Sequence, residues 1–423
     1  MNRQLIRRVG SVAVALYWLS LSLLAQTPAR PADVLKPTVI LISVDGYRAD
    51  YFQRYPSPAL QLLARRGVRA RWLEPAYPSL TFPNHYTIAT GLYPDHHGIV
   101  ANNIYDPEFK QTFTMAKREE VQNGRWWLGE PIWVTAEKQE QRAGAFFFPG
   151  TEAEIRGQRP TFWKEFDDKF PNFERVDTVL SWLALPAAER PTLITLYFSD
   201  VDHAGHDFGP DSAEVRQAIA TVDASLGRLV AGLKTRGQFE QVNLIIVSDH
   251  GMARWEPRNV IMLDDYFELA QAETVQWSGA MVNIFPKADA GLALYESLKA
   301  KVPVHVKVYR KQDLPARFHY GTSRRTGEII VMADEGWQLA RRDRYRAPQP
   351  AGKGKPFVRG MHGFDHQLAS MRAFFLGHGP AFKRGRVARP FPNVDVYHVM
   401  ARILGLQPAA NDGSPATASA VLR

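Results

Sequence analysis

Not one of the 423 residues is a cysteine. Disulfides, thiolate metal sites and lipid attachment at a lipobox cysteine are therefore all excluded, and any metal must be held by carboxylates and imidazoles. Long apolar runs are scarce as well. After an N-terminal stretch from about Val12 to Leu24, no further run of about 18 apolar residues follows, so nothing downstream reads as a membrane span. The formal charge of +9 is scattered rather than gathered into a long basic run. Specific nucleic-acid binding is thus not expected, while a mild positive excess favours small anionic substrates. No internal repeat is present.

What the chain does have begins with Arg3, Arg7 and Arg8, followed by that apolar stretch and then small and polar residues from Ala25 to Ala32. This order predicts a secretory signal peptide over 1–26 and a periplasmic or secreted mature protein without a stable membrane anchor. Removing the three arginines leaves a charge of about +6. The remaining chain suits one large α/β domain over 36–413. An inserted α+β subdomain is expected at about 255–355, and a loose tail after 413.

Three apolar, β-branched runs read as buried parallel strands, and each ends in polar residues. Thr38–Val44 runs into Asp45-Gly46, Thr192–Phe198 into Ser199-Asp-Val-Asp-His-Ala-Gly-His206, and Asn243–Ser248 into Asp249-His250-Gly251. In open α/β sheets the carboxyl edge is where ligands bind. Helices are expected over Pro58–Arg66, stopped by Gly67, and over Asp211–Gly237, where Val215, Ile219, Val222, Leu226, Leu229, Val230 and Leu233 form one stripe. Thr81 lies two residues before a proline suited to the first turn of a helix ending near Gly91, which places its hydroxyl at a helix N-terminus.

Asp45, Asp202, His206, Asp249, His250 and His362 can be read together as three carboxylates and three imidazoles around two metal ions, with Thr81 as nucleophile between them. Such donors suit Zn²⁺, with Mn²⁺ or Fe as alternatives. Each signal alone is modest: Asp249-His250 also reads as a strand-ending Asx turn, His362 as a core histidine, and Thr81 as a helix cap. Asp202 and His206 are four apart and share a face if they lie on one helical turn. Two metal ions about 4 Å apart stabilise the attacking and leaving oxygens of an in-line displacement at phosphorus. Phosphoryl transfer is therefore the chemistry these residues point to.

Val44-Asp-Gly-Tyr-Arg48, Thr81-Phe-Pro-Asn-His-Tyr86, Gly98-Ile-Val-Ala-Asn-Asn103, Gly205-His-Asp-Phe-Gly-Pro210, Ser248-Asp-His-Gly-Met252 and His362-Gly-Phe-Asp365 occur in this order. In these segments the sequence resembles the nucleotide pyrophosphatase/phosphodiesterase family of the alkaline phosphatase superfamily, in the manner of a bacterial exported member. The likeness spans about Lys36 to Gly413. It implies an alkaline-phosphatase-like fold, a mostly parallel sheet sandwiched by helices, with two Zn²⁺ per subunit. By the resemblance, Asp45, Asp249 and His250 hold the ion that activates Thr81, and Asp202, His206 and His362 hold the second. Asn102 falls where the family places an amide donor to a non-bridging phosphate oxygen. Phe82 and Tyr197 fall where it places aromatic rings against a nucleobase.

The implied reaction is hydrolysis of nucleotide phosphodiester and pyrophosphate bonds to 5′-nucleoside monophosphates through a phosphothreonine on Thr81. The pattern departs from the family at Phe148, where many relatives carry Trp, and at His366, where Asn is common. Rival readings are a phosphomonoesterase or a phospholipid-headgroup phosphodiesterase of the same superfamily, or a non-catalytic periplasmic nucleotide-binding protein. A sulfatase needs a formylglycine precursor, Cys or Ser, where this chain has Thr81.

Overall fold

A computed structural model describes residues 35–347 and 357–423. The signal-peptide expectation for 1–26 falls outside these described residues.

An eight-stranded sheet carries the site. Its strands are β1 (Thr38–Val44), β2 (Val68–Ala70), β3 (Ala143–Phe146), β4 (Phe162–Trp163), β5 (Leu193–Phe198), β6 (Val242–Val247), β7 (Phe375–His378) and β8 (Arg386–Ala388). They lie in the order β8-β2-β7-β6-β1-β5-β3-β4. From β6 through β1, β5 and β3 to β4 the pairing is parallel, whereas β7 runs antiparallel to both β6 and β2.

Continuous apolar runs are what a sheet covered on both faces requires. Val39 and Leu41 of β1 enter one core with Ile245 and Val247 of β6. Ile40, Ile42 and Val44 enter the opposite core with Leu244 and Ile246. Helix Ala213–Thr235 packs its whole expected stripe into that second core, and the Ser212 hydroxyl caps it by accepting the Val215 N–H at 3.2 Å.

The inserted region forms its own four-stranded antiparallel sheet. Ala272–Trp277, Met281–Pro286, Ile329–Ala333 and Val306–Arg310 are neighbours in that order. Helix Gly291–Lys301 packs on it through Leu294, Tyr295 and Leu298 in a separate core. The chain after 413 is not loose. Pro415–Val421 is a helix capped by Ser414, its Ala418 and Val421 are buried, and Asp395 holds it by accepting from Ser414 N and Thr417 Oγ1. The small polar residues that suggested disorder are those that pack and cap a short helix. Among the described residues no helix is long and apolar enough to cross a membrane.

Candidate metal centre and nucleophile

Three adjacent parallel strands deliver the carboxylates. Ser43 of β1 pairs with Val247 of β6, and two residues further on stand Asp45 and Asp249. On the other side Val44 pairs with Phe198 of β5, beyond which helix Asp200–Phe208 places Asp202 and His206 one turn apart. The Asp45-Gly46 turn comes so close to Asp202 that a Cβ on Gly46, at φ +65°, would sit 3.0 Å from Asp202 Cα. Gly251 is equally constrained, because a Cβ there would lie 2.1 Å from the Ser370 carbonyl. Glycine at both positions lets the ligand-bearing turns converge.

All six expected ligands come together. Ligand atoms of Asp202, His206 and His362 lie within 4.8 Å of one another, and so do those of Asp45, Asp202 and His250. His250 Nε2 is 3.0 Å from Asp249 Oδ2 and 3.6 Å from Asp45 Oδ1. The other ring nitrogen of each histidine is already engaged. Nδ1 of His206 donates to Gly360 O at 3.0 Å, that of His250 to Gly251 O at 2.9 Å, and that of His362 to Ser79 O at 2.9 Å. Those bonds turn all three Nε2 atoms inward, where a metal would take their lone pairs in this tautomer.

The fit to cations is electrostatic as well as geometric. Asp45 Oδ1, Asp202 Oδ1 and Asp249 Oδ2 are buried without a hydrogen-bond donor, an arrangement costly for a carboxylate unless a cation compensates it. Burial, then the charges of Asp249 and Asp202, push the Asp45 carboxyl well above its usual range. Asp249 experiences the same burial, but the adjoining His250 and His85 outweigh it and hold its carboxyl low. His362 is kept neutral by burial and by the neighbouring His250 and His206. A metal cation would compensate the charge that these three buried carboxylates bring together.

Thr81 is the first residue of helix Thr81–Thr90, which ends in a left-handed Gly91. Its Oγ1 lies 3.3 Å from His250 Nε2, so the hydroxyl borders the ligand cluster. The positive end of the helix favours a developing alkoxide there. Asn84 sets the approach, accepting from Ala76 N and donating to Pro78 O and Leu80 O, each at 2.7–2.9 Å. Asn102 accepts the Phe82 N–H at 3.0 Å through Oδ1. That bond orients the amide, and its NH₂ has no protein acceptor among the described residues.

Sequence reasoning missed His85. Fully buried, it donates from Nδ1 to Thr81 O at 2.8 Å, accepts from Ser43 Oγ at 2.8 Å, and comes within 3.4 Å of Asp249 Oδ2. It ties the nucleophile's turn to β1 and to a ligand carboxylate. Its only advance signal was its place in the Thr81–Tyr86 segment, four residues after Thr81.

Two cavities adjoin the cluster. One, of about 170 Å³, is walled by Phe82, Met115, Val121, Phe148 and Phe166, with Arg118 and Glu152 paired at its far side. Tyr197, expected as an aromatic platform, is buried and gives its hydroxyl to Asp45 Oδ2 at 2.6 Å. The open ring on that side is Phe166, 37% exposed, its N–H held by Glu152 Oε1 at 3.0 Å. The other cavity, of about 520 Å³, lies against His206, His362 and Asn102.

The chain matches the family described as "Type I phosphodiesterase / nucleotide pyrophosphatase" over residues 39–365. It is 37% identical to ectonucleotide pyrophosphatase/phosphodiesterase family member 3 of Bos taurus over 94% of this chain and 45% of that protein. It is 40% identical to an uncharacterized pyrophosphatase/phosphodiesterase of Schizosaccharomyces pombe over 90% of this chain and 80% of that one. The chain thus spans a little under half of the animal relatives it matches. Among solved structures, murine ectonucleotide pyrophosphatase/phosphodiesterase 5 superposes with a TM-score of 0.83 at 31% identity, covering 91% of this chain and 100% of that one. An inactive threonine-to-alanine variant of the murine protein in complex with AMP superposes equally well. On sequence and fold, the chain belongs to the type I phosphodiesterase / nucleotide pyrophosphatase family.

Proposed function

We propose that the protein hydrolyses nucleotide phosphodiester and pyrophosphate bonds, releasing 5′-nucleoside monophosphates through a phosphothreonine on Thr81. The observation that carries this reading is the Thr81 hydroxyl 3.3 Å from His250 Nε2, at the edge of a cluster of three imidazoles and three carboxylates whose buried oxygens lack donors. The AMP bound to the inactive variant of the murine relative supports it.

Asp45, Asp249 and His250 would hold one Zn²⁺, and Asp202, His206 and His362 the other. Bound there, the pair supplies Lewis-acid stabilisation of the oxygens entering and leaving phosphorus. The chain's own groups do the rest. The AMP half enters the smaller cavity, its base between Phe82 and Phe166. Thr81 Oγ1 bonds to phosphorus and its proton is taken up by the departing oxygen through solvent as the bond to that oxygen breaks, while the Asn102 amide donates to a non-bridging oxygen. Water then attacks from the leaving side, the Thr81–phosphorus bond breaks, and the hydroxyl regains its proton as the monophosphate departs. The leader-like N-terminus supports action outside the inner membrane.

A phosphomonoesterase would need free cations around a terminal phosphate dianion. Instead Arg118 is paired with Glu152, and Arg359 with Asp207. The test is steady-state hydrolysis of thymidine 5′-monophosphate p-nitrophenyl ester against bis-p-nitrophenyl phosphate and p-nitrophenyl phosphate, with chelator and with added zinc. A zinc-dependent kcat/KM at least about tenfold higher for the nucleotide ester is expected. Preference for the monoester assigns the phosphatase role instead, and absence of zinc-dependent turnover leaves a binding protein.

A further inference from the structure

Asn102 has no helix or strand of its own. It lies, partly exposed, on a bend between Gly98 and strand Asn103–Asp106, so the aim of its amide depends on what fixes that segment. One loop of the inserted region grips the segment on both sides. The loop runs from Tyr320 to Thr326, between strands Val306–Arg310 and Ile329–Ala333. Before the bend, Tyr320 donates its hydroxyl to Val100 O at 3.2 Å and Arg325 Nη1 donates to Gly98 O at 2.9 Å. After it, Arg325 Nε donates to Asp106 Oδ2 at 2.7 Å and Arg324 Nη2 to the same oxygen at 2.9 Å. Thr322 N, Thr322 Oγ1 and Thr326 Oγ1 donate to Asp95, which fastens the loop further back along the same segment.

This grip belongs to the core rather than the surface. Arg325 is 1% exposed and Asp106 0%, and the guanidinium also donates to Trp126 O and Arg125 O. A buried ion pair with such further bonds holds one geometry, because any shift leaves charge unpaired in a dry site. Gly98 is fitted to it: at φ +78°, a Cβ there would sit 2.6 Å from Arg325 Nη1. Asn283 Nδ2 donates to the Tyr320 hydroxyl at 3.1 Å and so ties the loop to its own sheet.

We propose that Arg325 and Tyr320 are positioning residues for Asn102, by which the inserted region clamps the bend and fixes where the amide meets phosphate in the transition state. The inference rests on the nucleotide-hydrolase reading above and deepens it. A donor aimed at developing charge loses much of its effect when displaced by about 1 Å. Releasing the clamp therefore acts on kcat, and acts through Asn102. Phe82 gives a separate report of the same geometry. Its N–H lies in the first turn of helix Thr81–Thr90, where no helical carbonyl accepts it, and Asn102 Oδ1 is its acceptor.

The experiment is a double-mutant cycle on zinc-loaded protein with thymidine 5′-monophosphate p-nitrophenyl ester. Tyr320→Phe and Arg325→Lys are each measured in the native and in the Asn102→Ala background. In the native background each should lower kcat at least about fivefold, with KM within about twofold and zinc content unchanged. In the Asn102→Ala background the further loss should be under about twofold. Equal losses in both backgrounds, or no loss in the native one, would overturn the proposal and leave the loop a general packing role. If Arg325→Lys shows no cooperative melting transition, Tyr320→Phe, which removes a single hydroxyl, decides alone. Hydrogen exchange at the Phe82 amide of metal-free protein reads the clamp without turnover. It should quicken at least about tenfold in Tyr320→Phe, while the Asn84 N–H, bonded to Leu80 O, keeps its rate. An unchanged Phe82 rate would overturn the clamp. If the wild type cleaves no ester, the hydrolase reading fails and the exchange measurement decides the clamp by itself.

Discussion

The Nε2 atoms of His206 and His362 stand 3.0 Å apart while Nδ1 of each donates to a backbone carbonyl. Two lone pairs at that distance repel unless a cation lies between them and Asp202. Metal analysis of zinc-loaded protein should give two ions per chain, and His362→Ala should give one. The variant's turnover should drop at least about a hundredfold. Because metal binds the folded state alone, zinc at a thousand times its Kd should add about 4 kcal/mol of stability, read as a rise in melting temperature over chelated protein.

Thr81→Ala should abolish turnover, a loss of at least about a thousandfold, with two zinc ions still bound. Thr81→Ser keeps an oxygen at the same helix position and should retain measurable activity. Trapped phosphoserine or phosphothreonine, detected by mass spectrometry after acid quench, checks the covalent step.

Asn102→Ala removes an amide held by Phe82 N–H. Its cost should fall on kcat, about a hundredfold, because a donor aimed at the charge developing on phosphate acts in the transition state. A comparable rise in KM with kcat preserved would assign Asn102 to ground-state binding.

Phe166 and Tyr197 should separate kinetically. Phe166→Ala removes an open ring from the nucleotide cavity and should raise KM about tenfold for nucleotide esters, leaving bis-p-nitrophenyl phosphate nearly unchanged. Tyr197→Phe removes the hydroxyl on Asp45 and should lower kcat on both substrates alike.

His97 gives a pH-dependent stability remote from the ligands. It is buried, accepts the Ile99 N–H at Nδ1, and faces Thr87 Oγ1 and Pro83 O through Nε2, so a second ring proton has no acceptor. Burial pulls its pKa from 6.5 to about 3. Between those values the unfolded chain binds the proton and the folded one does not, so this contribution is complete above pH 6.5 and declines as pH falls toward 3. In chelated protein, the melting temperature of His97→Gln relative to wild type should rise across that window on acidification. A constant difference would show that His97 does not titrate on unfolding.

Much of this site could be read before any coordinates, because parallel strands announce themselves as apolar runs and their ends are marked by Asp45, Asp202 and Asp249. Glycines after Asp45 and His250 marked the turns as well. What escaped was long-range. His85 and Asn84 matter through bonds to Ser43, Ala76 and Asp249, which no local period reveals. Phe166 lies in a stretch without regular structure, where the chain gives no register, whereas Tyr197 sits at a strand end and drew the aromatic role to itself. The C-terminal helix was missed because Ser, Pro, Ala and Thr read as loose until Asp395 and the groove that buries Val421 are in place.

The register of β1 against β5 and β6 has a further meaning. Neighbouring hydrogen-bonded strands lie about 4.8 Å apart, close to the separation of about 4 Å that a two-metal phosphoryl-transfer site uses. The backbone ladder would therefore act as a ruler for a metal pair placed at these strand ends, graduated by peptide groups rather than by side chains. The irregular stretch around Phe166 can vary while the spacing of Asp45 and Asp249 stays where the ladder sets it.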